Sequence, residues 1–96
     1  MKPNLIFVLL DGSRWDRIHT SKEFSNIIKS GTLLNNVSTA FPYTFGALNV
    51  ILTGLYGKEN GVDGYYRVKD LKDDVDFLPE ILHNAKYYTV KSLIHE

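Results

Sequence analysis

The sequence predicts an α/β fold, a parallel sheet with flanking helices, of which these 96 residues would carry a β-α-β-α-α-β portion. Two observations favour this fold class. Apolar, β-rich runs alternate with segments of helical periodicity, an order typical of parallel sheets with right-handed crossovers. The first run, residues 5–10, is Leu-Ile-Phe-Val-Leu-Leu without a polar interruption, as expected of a strand covered on both faces.

The first half of the chain predicts two strands with a helix between them. The first strand spans residues 4–10. The helix spans residues 21–30, because Thr20 or Ser21 can cap it and apolar residues then recur at helical spacing. Gly31 ends this helix, and the second strand covers residues 32–39.

The second half predicts two helices and a last strand. A helix is expected over residues 45–53 with Thr44 at or near its N-cap, followed by a surface loop over 54–74. Another helix is expected over 77–85, capped by Asp76 and with Pro79 in its first turn, and a third strand over 87–94. A sheet of three strands would expose its edges, which predicts self-association through the exposed sheet edge.

Composition and charge exclude several classes of protein. The chain has no cysteine, which excludes disulfide frameworks, thiol nucleophiles and cysteine-based zinc sites. Its 11 basic and 11 acidic residues cancel, which argues against nucleic acid and acidic membranes as partners. The longest apolar run is far shorter than a membrane helix and lacks a signal-peptide cleavage site, so the default expectation is a cytoplasmic protein.

Two polar residues follow the first two predicted strands, at the edge where ligands collect in open α/β sheets. Asp11 comes directly after the first strand and is a candidate ligand of a divalent cation, with a turn aspartate as the alternative. Thr44 stands at a helix start, where N–H groups favour phosphate, and capping is its alternative role. Together they indicate metal-assisted phosphoryl transfer, with Asp11 and Thr44 on the metal and Thr44 as the catalytic nucleophile.

Three sequence segments carry a family resemblance. Residues 3–12 read Pro-Asn-Leu-Ile-Phe-Val-Leu-Leu-Asp-Gly, residues 44–62 begin Thr-Phe-Gly-Ala-Leu and contain Thr-Gly-Leu-Tyr, and residues 78–90 begin Leu-Pro-Glu-Ile-Leu. In this order they resemble the N-terminal strand motif, the nucleophile helix with its T-G-L-Y-P-x-x-H-G-[VI] segment, and the L-P-E-x-L-x-x-A-G-Y-x-T segment of the alkaline phosphatase superfamily. That superfamily includes sulfatases and type I phosphodiesterases (nucleotide pyrophosphatases).

The resemblance implies residue roles that can be carried over by position. Asp11 matches the first metal-ligand aspartate and Thr44 matches the nucleophile. Sulfatases have Cys or Ser at that position within C/S-x-P-S-R, whereas Thr44 followed by Phe resembles the T-F-P-N motif of the phosphodiesterase branch. Ala47 replaces the asparagine of that motif, which helps to hold the substrate, and Asn60 replaces a histidine of the following segment.

The resemblance also implies a reaction and a cofactor. We expect a metal-dependent hydrolase of small-molecule phosphate esters or diesters or sulfate esters, and transfer to an alcohol is a further option. The expected cofactor is a divalent metal, zinc first and otherwise manganese or calcium. Residues 1–96 are expected to be a single N-terminal fragment of such an α/β domain, inactive alone because later ligands are missing. The alternative is a non-catalytic truncated relative that acts as a structural or partner-binding module.

Overall fold

The computed structural model of the chain describes residues 2–64 and 69–92. In these two ranges the chain forms five helices and no β-strand. The helices are α1 (Trp15–Ile18), α2 (Lys22–Ser30), α3 (Thr44–Thr53), α4 (Gly57–Asn60) and α5 (Leu78–Asn84). No helix in the described ranges has both the length and the apolar character needed to cross a membrane.

The prediction of an α/β fold with a parallel sheet is wrong for this structure. Residues 4–10, 32–39 and 87–92 have no regular secondary structure, and residues 93–94 of the third predicted strand lie outside the described residues. A strand is held by hydrogen bonds to a neighbouring strand, whereas an apolar β-rich sequence indicates only that burial is favourable. Here the side chains of residues 5–10 are exposed, from 48% for Leu9 to 83% for Ile6.

The chain divides into two compact units, Met1–Val37 and Ser38–Glu96. In the first unit, α1 was not predicted from the sequence, and its Trp15 ring packs edge-to-face on His19 with 4.4 Å between ring centroids. The prediction of α2 is confirmed. Ser21 is its N-cap and accepts a hydrogen bond from the Phe24 N–H at 3.4 Å, and Gly31 follows its last residue.

In the second unit, α3 contacts both α4 and α5. The prediction of α3 is confirmed, and Gly54 ends it in the left-handed conformation with φ of 70°. The short helix α4 lies inside the segment predicted as a loop, and the Tyr56 N–H before it donates to Glu59 Oε2 at 3.0 Å. The prediction of α5 is also confirmed, although Phe77 and not Asp76 precedes it, without a side-chain cap.

The buried residues of the second unit lie where α3 meets α4. Asn60 and Val62 are almost completely buried, with exposed fractions of 0% and 1%, and Asn49 is 7% exposed. Gly46 and Gly57 are buried beside the Phe41 ring, where a Cβ on either glycine would collide with that ring. Two glycines without side chains therefore let Phe41 lie directly against the backbones of α3 and α4.

Candidate functional site

Asp11 lies in a turn of the first unit and is exposed. Its Oδ1 accepts a hydrogen bond from the Gly12 N–H at 2.9 Å, and Gly12 has a positive φ of 69°. The sequence placed Asp11 at the end of a strand, and that strand is absent. The turn nevertheless leaves the carboxylate at the surface, and carboxylate oxygens are ligands that divalent cations accept.

The residues after Asp11 form a small charged group. Arg14 donates two hydrogen bonds to Asp16, from Nε to Oδ1 at 2.9 Å and from Nη2 to Oδ2 at 2.6 Å. This bond from Arg14 holds the pKa of the Asp16 carboxyl below its ordinary value and raises the pKa of Arg14. The bidentate geometry indicates that the Arg14 guanidinium binds the carboxylate of Asp16, two residues further along the chain.

Thr44 is the first residue of α3 in the second unit, and it is exposed. The N-cap is Tyr43, whose carbonyl accepts the hydrogen bond from the Ala47 N–H at 3.1 Å. Thr44 therefore lies one position inside the helix. The first turn contains no acidic residue, so no carboxylate of that turn neutralises the partial positive charge of the helix start.

Ala47 and Asn49 show what remains of the substrate-holding side chain that the resemblance implies. Ala47 follows Thr44 by three residues, on the same side of the helix, and its half-buried methyl group offers no hydrogen bond. Asn49 is buried, and its Nδ2 donates to the Phe45 carbonyl at 2.8 Å. The amide of Asn49 is thus committed to its own helix and does not take the place of the missing asparagine.

Residues 53–62 run from the last residue of α3, through α4, to the second residue after α4. We call this segment the α3–α4 corner. Its centre is Asn60, whose Nδ2 donates to the Leu55 carbonyl at 3.0 Å and approaches Thr53 Oγ1 at 3.4 Å. Asn60 Oδ1 accepts a hydrogen bond from the Val62 N–H at 2.8 Å. Thr53 Oγ1 in turn donates to the Asn49 carbonyl at 2.6 Å. One buried asparagine therefore joins both ends of the corner.

Longer-range hydrogen bonds hold this region to neighbouring segments of the second unit. The Tyr43 hydroxyl donates to the Gly64 carbonyl at 2.6 Å, which ties the start of α3 to the chain beyond the corner. The Lys72 N–H donates to the Asn60 carbonyl at 2.9 Å. Sequence reasoning missed the structural roles of Tyr43 and Asn60. The one available signal was Asn60-Gly61, a pair typical of turns.

The predicted metal ligands belong to different units, Asp11 to the first and Thr44 to the second. Their cooperation in one metal site stays a prediction. In the described residues, no group of three or more His, Cys, Asp or Glu side chains could hold a metal ion. A carboxylate and a hydroxyl are each donor types that a divalent cation accepts, and zinc takes about four ligands.

Comparison with known proteins gives the family. No curated protein and no solved structure matches the chain. The sequence model of one family, Sulfatase, matches residues 3–93, which include Asp11, Thr44 and the α3–α4 corner. This family is of the hydrolase type, consistent with the resemblance to the alkaline phosphatase superfamily. Because the match extends over nearly the whole sequence, the chain belongs to the sulfatase family.

Proposed function

We propose that the chain carries the nucleophile and one metal ligand of a metal-dependent hydrolase that acts on small-molecule phosphate or sulfate esters. The observation that carries this proposal is the position of Thr44, exposed at the first residue of α3 and within the family match. A hydroxyl at a helix start lies beside backbone N–H groups that have no partner within the helix. Those groups favour a bound ester anion next to the attacking oxygen.

Thr44 is the proposed nucleophile. A threonine hydroxyl is weakly nucleophilic at neutral pH and needs activation. The first turn of α3 contains no carboxylate that would repel an anionic ester. In the proposed step the Thr44 oxygen attacks phosphorus or sulfur, the alcohol leaves, and water later releases the group from Thr44. The chemistry that a bound divalent metal supplies is polarisation of the ester oxygen and a lower pKa for the hydroxyl.

Asp11 is the proposed metal ligand, with zinc as the first choice and manganese or calcium as alternatives. Its exposed carboxylate and the Thr44 oxygen supply two donors, and both zinc and calcium take more. The proposal therefore includes further ligands from outside these 96 residues. It also includes the expectation that the 96 residues alone do not turn over substrate.

The phosphate branch is the first candidate for substrate. In a sulfatase of the cysteine type, a cysteine at the nucleophile position is converted to formylglycine. This sequence has threonine at that position and contains no cysteine. The start of α3 also resembles that of the phosphodiesterase branch, because phenylalanine follows Thr44. A phosphate diester is accordingly proposed as the preferred substrate class, with sulfate esters as the comparison class.

The test uses the protein encoded by the complete open reading frame that contains these residues, with zinc, manganese and calcium supplied in turn. Hydrolysis of bis(4-nitrophenyl) phosphate, 4-nitrophenyl phosphate and 4-nitrophenyl sulfate is followed by absorbance. We expect Thr44→Ala to lower kcat/KM by about a thousandfold or more, because the attacking atom is lost. We expect Asp11→Asn to weaken metal binding in calorimetry.

The matched control is Thr32→Ala, which removes an exposed threonine hydroxyl outside the helices and should leave the rate unchanged. A second readout is mass spectrometry of the peptide that contains Thr44 after rapid quenching. In the wild-type protein it should show Thr44 carrying the transferred group, which is 4-nitrophenyl phosphoryl from the diester and phosphoryl from the monoester. Thr44→Ala should show no such modification. Full activity in Thr44→Ala would exclude Thr44 as the nucleophile.

Ala47 and Asn60 favour a second candidate function, a non-catalytic relative that acts as a structural or partner-binding module. A methyl group stands where the family motif has a substrate-holding amide, and Asn60 uses its amide within the corner. This candidate predicts no hydrolysis of any of the three esters, no modified Thr44 and no change in metal binding for Asp11→Asn. The same set of measurements therefore separates the two functions.

A further inference from the structure

The α3–α4 corner contains the single Asn-Gly pair of the sequence, Asn60-Gly61. In such a pair the glycine has no side chain to hinder its own nitrogen, so the backbone N can reach the preceding side chain when the chain is loose. In this structure the pair is in the most buried part of the second unit, where Asn60 has an exposed fraction of 0%. A chemically labile pair is thus held in a closed environment.

The chemistry in question is deamidation. The Gly61 nitrogen attacks Cγ of Asn60, a new N–Cγ bond closes a five-membered succinimide ring, and the Cγ–Nδ2 bond breaks. Nδ2 leaves as ammonia and carries away the proton that the Gly61 nitrogen loses. Water then opens the ring at either carbonyl, which yields aspartate or isoaspartate. No oxidant, reductant or enzyme is needed.

The native geometry opposes each part of this reaction. The Gly61 N–H donates to the Gly57 carbonyl at 2.9 Å, so the attacking nitrogen is occupied. The side chain that would be attacked is held by its bonds to the Leu55 carbonyl and from the Val62 N–H, at 3.0 Å and 2.8 Å. The reaction therefore requires the corner to open first, which makes its rate proportional to the open population.

The product would not fit back into the closed corner. The Asn60 amide donates through Nδ2 to the Leu55 carbonyl, and a carboxylate in its place has no proton to donate and is repelled by that oxygen. One carboxylate oxygen could still accept from the Val62 N–H, but the other would lie against the Leu55 carbonyl oxygen in a buried site, which is strongly unfavourable. We propose that Asn60 is a latent deamidation site which the α3–α4 corner keeps closed, and that its reaction converts transient opening of the corner into a permanent one.

The first experiment measures deamidation at each asparagine by peptide mapping and mass spectrometry, with chromatographic separation of isoaspartate. The 96-residue chain is incubated at mildly alkaline pH in buffer and in concentrated guanidinium chloride. We expect deamidation at Asn60 to be about tenfold or more slower in buffer, because only open molecules react. Asn36, which is exposed and precedes Val37, is the internal control and should react at similar rates in both.

The second experiment uses variants. Thr53→Val removes the hydroxyl that lies between the Asn49 carbonyl and the Asn60 amide, and it should increase the rate at Asn60 by about threefold or more. Thr20→Val removes a hydroxyl that bonds only to the Arg17 carbonyl of the first unit, and it should leave that rate unchanged. Asn60→Asp should increase hydrogen exchange of the Val62 N–H, since the closed corner no longer forms.

Two results would overturn the proposal. One is an equal deamidation rate at Asn60 in buffer and in denaturant, when circular dichroism shows that the helices are intact in buffer. The other is an Asn60→Asp chain whose Val62 N–H is protected as in the wild type. If Thr53→Val does not fold, the wild-type rate over a series of low denaturant concentrations replaces it. That rate should increase with denaturant, and a constant rate contradicts the mechanism.

Discussion

Asp16 shows how a single residue in the first unit is fixed by its neighbour. Two hydrogen bonds from Arg14 stabilise the charged carboxylate, so the pKa of Asp16 lies below its ordinary value of 3.8. A carboxyl whose pKa is lower in the folded chain stabilises the fold above the unfolded-state pKa. That contribution is lost as the pH falls through the folded-state pKa, so the effect is confined to acidic solutions.

We predict that Arg14→Gln raises the pKa of Asp16 towards its ordinary value, because the charged donor that favours the carboxylate is removed. Carboxyl chemical shifts recorded by NMR over an acidic pH series measure this directly. The control is Arg17→Gln, since Arg17 Nε is 4.0 Å from Asp16 Oδ2 and should contribute less. Equal shifts in the two variants would show that general charge, and not the bidentate bond, sets the pKa.

Thr44 and Asp11 mark what could be predicted about single residues. The helix start near Thr44 was predicted because a hydroxyl residue before an apolar stripe is a local signal. In the structure Tyr43 is the N-cap and Thr44 is the first residue of α3. The predicted position of Asp11 at the end of a strand is wrong, since a strand needs a partner elsewhere in the chain and residues 4–10 form none. The roles of both residues in catalysis and metal binding stay predictions.

At the scale of elements, the predictions of α2, α3 and α5 are confirmed, whereas the predicted parallel sheet is wrong for the described residues. The hydrogen bonds of a helix join residues four apart, so signals such as Ser21, Gly54 and Pro79 within the segment itself determine its ends. A strand depends on a distant partner, and no such pairing occurs in residues 2–64 and 69–92. The very short helices α1 and α4 lack the repeat of apolar residues that makes a helix visible in sequence.

The contact between α4 and the Phe41 ring gives a prediction for one element. A Cβ at Gly57 would collide with the Phe41 ring and with the Val62 carbonyl oxygen, and a backbone atom cannot move aside as a flexible side chain can. We therefore expect Gly57→Ala to lower the free energy of unfolding by about 1–3 kcal/mol. Denaturant titration followed by circular dichroism measures the change.

Gly54→Ala is the comparison for this prediction. Beyond its own residue and its two chain neighbours, its Cβ would have no heavy atom within 4 Å, so its expected destabilisation comes from the positive φ of 70°. Replacing the ring by a smaller side chain in Phe41→Leu should therefore recover part of the stability lost in Gly57→Ala and none of the stability lost in Gly54→Ala. If the two glycine variants respond alike to Phe41→Leu, the steric explanation for Gly57 is wrong.

At the scale of the whole molecule, large apolar side chains among the described residues are far more often exposed than buried. Val62 is the one buried apolar side chain among the described residues. Large apolar side chains are exposed in both units, among them Ile6, Val8, Leu34, Ile51 and Val90. Contiguous exposed apolar surface favours association with other molecules. Self-association through a sheet edge lacks a basis, because the described residues form no sheet, but the apolar segment 5–10 offers a different surface for it.

We predict that the 96-residue chain self-associates through residues 5–10. Sedimentation velocity over a concentration series should show an increasing weight-average sedimentation coefficient, because apolar side chains leave water on association. The double variant Ile6→Lys, Val8→Lys should reduce this increase. Leu34→Lys, in the same unit and 73% exposed, is the matched control and should have a smaller effect. Equal effects of the two variants would place the association surface elsewhere.

The packing of Trp15 has a practical consequence for studying the two units. Trp15 is the only tryptophan in the sequence, and it lies in the first unit with its ring against His19. Excitation at the red edge of aromatic absorbance therefore selects the first unit, while the tyrosines at 43 and 56 report on the second. The chain thus carries one natural fluorophore class for each unit, and their unfolding can be followed separately in a single unlabelled sample.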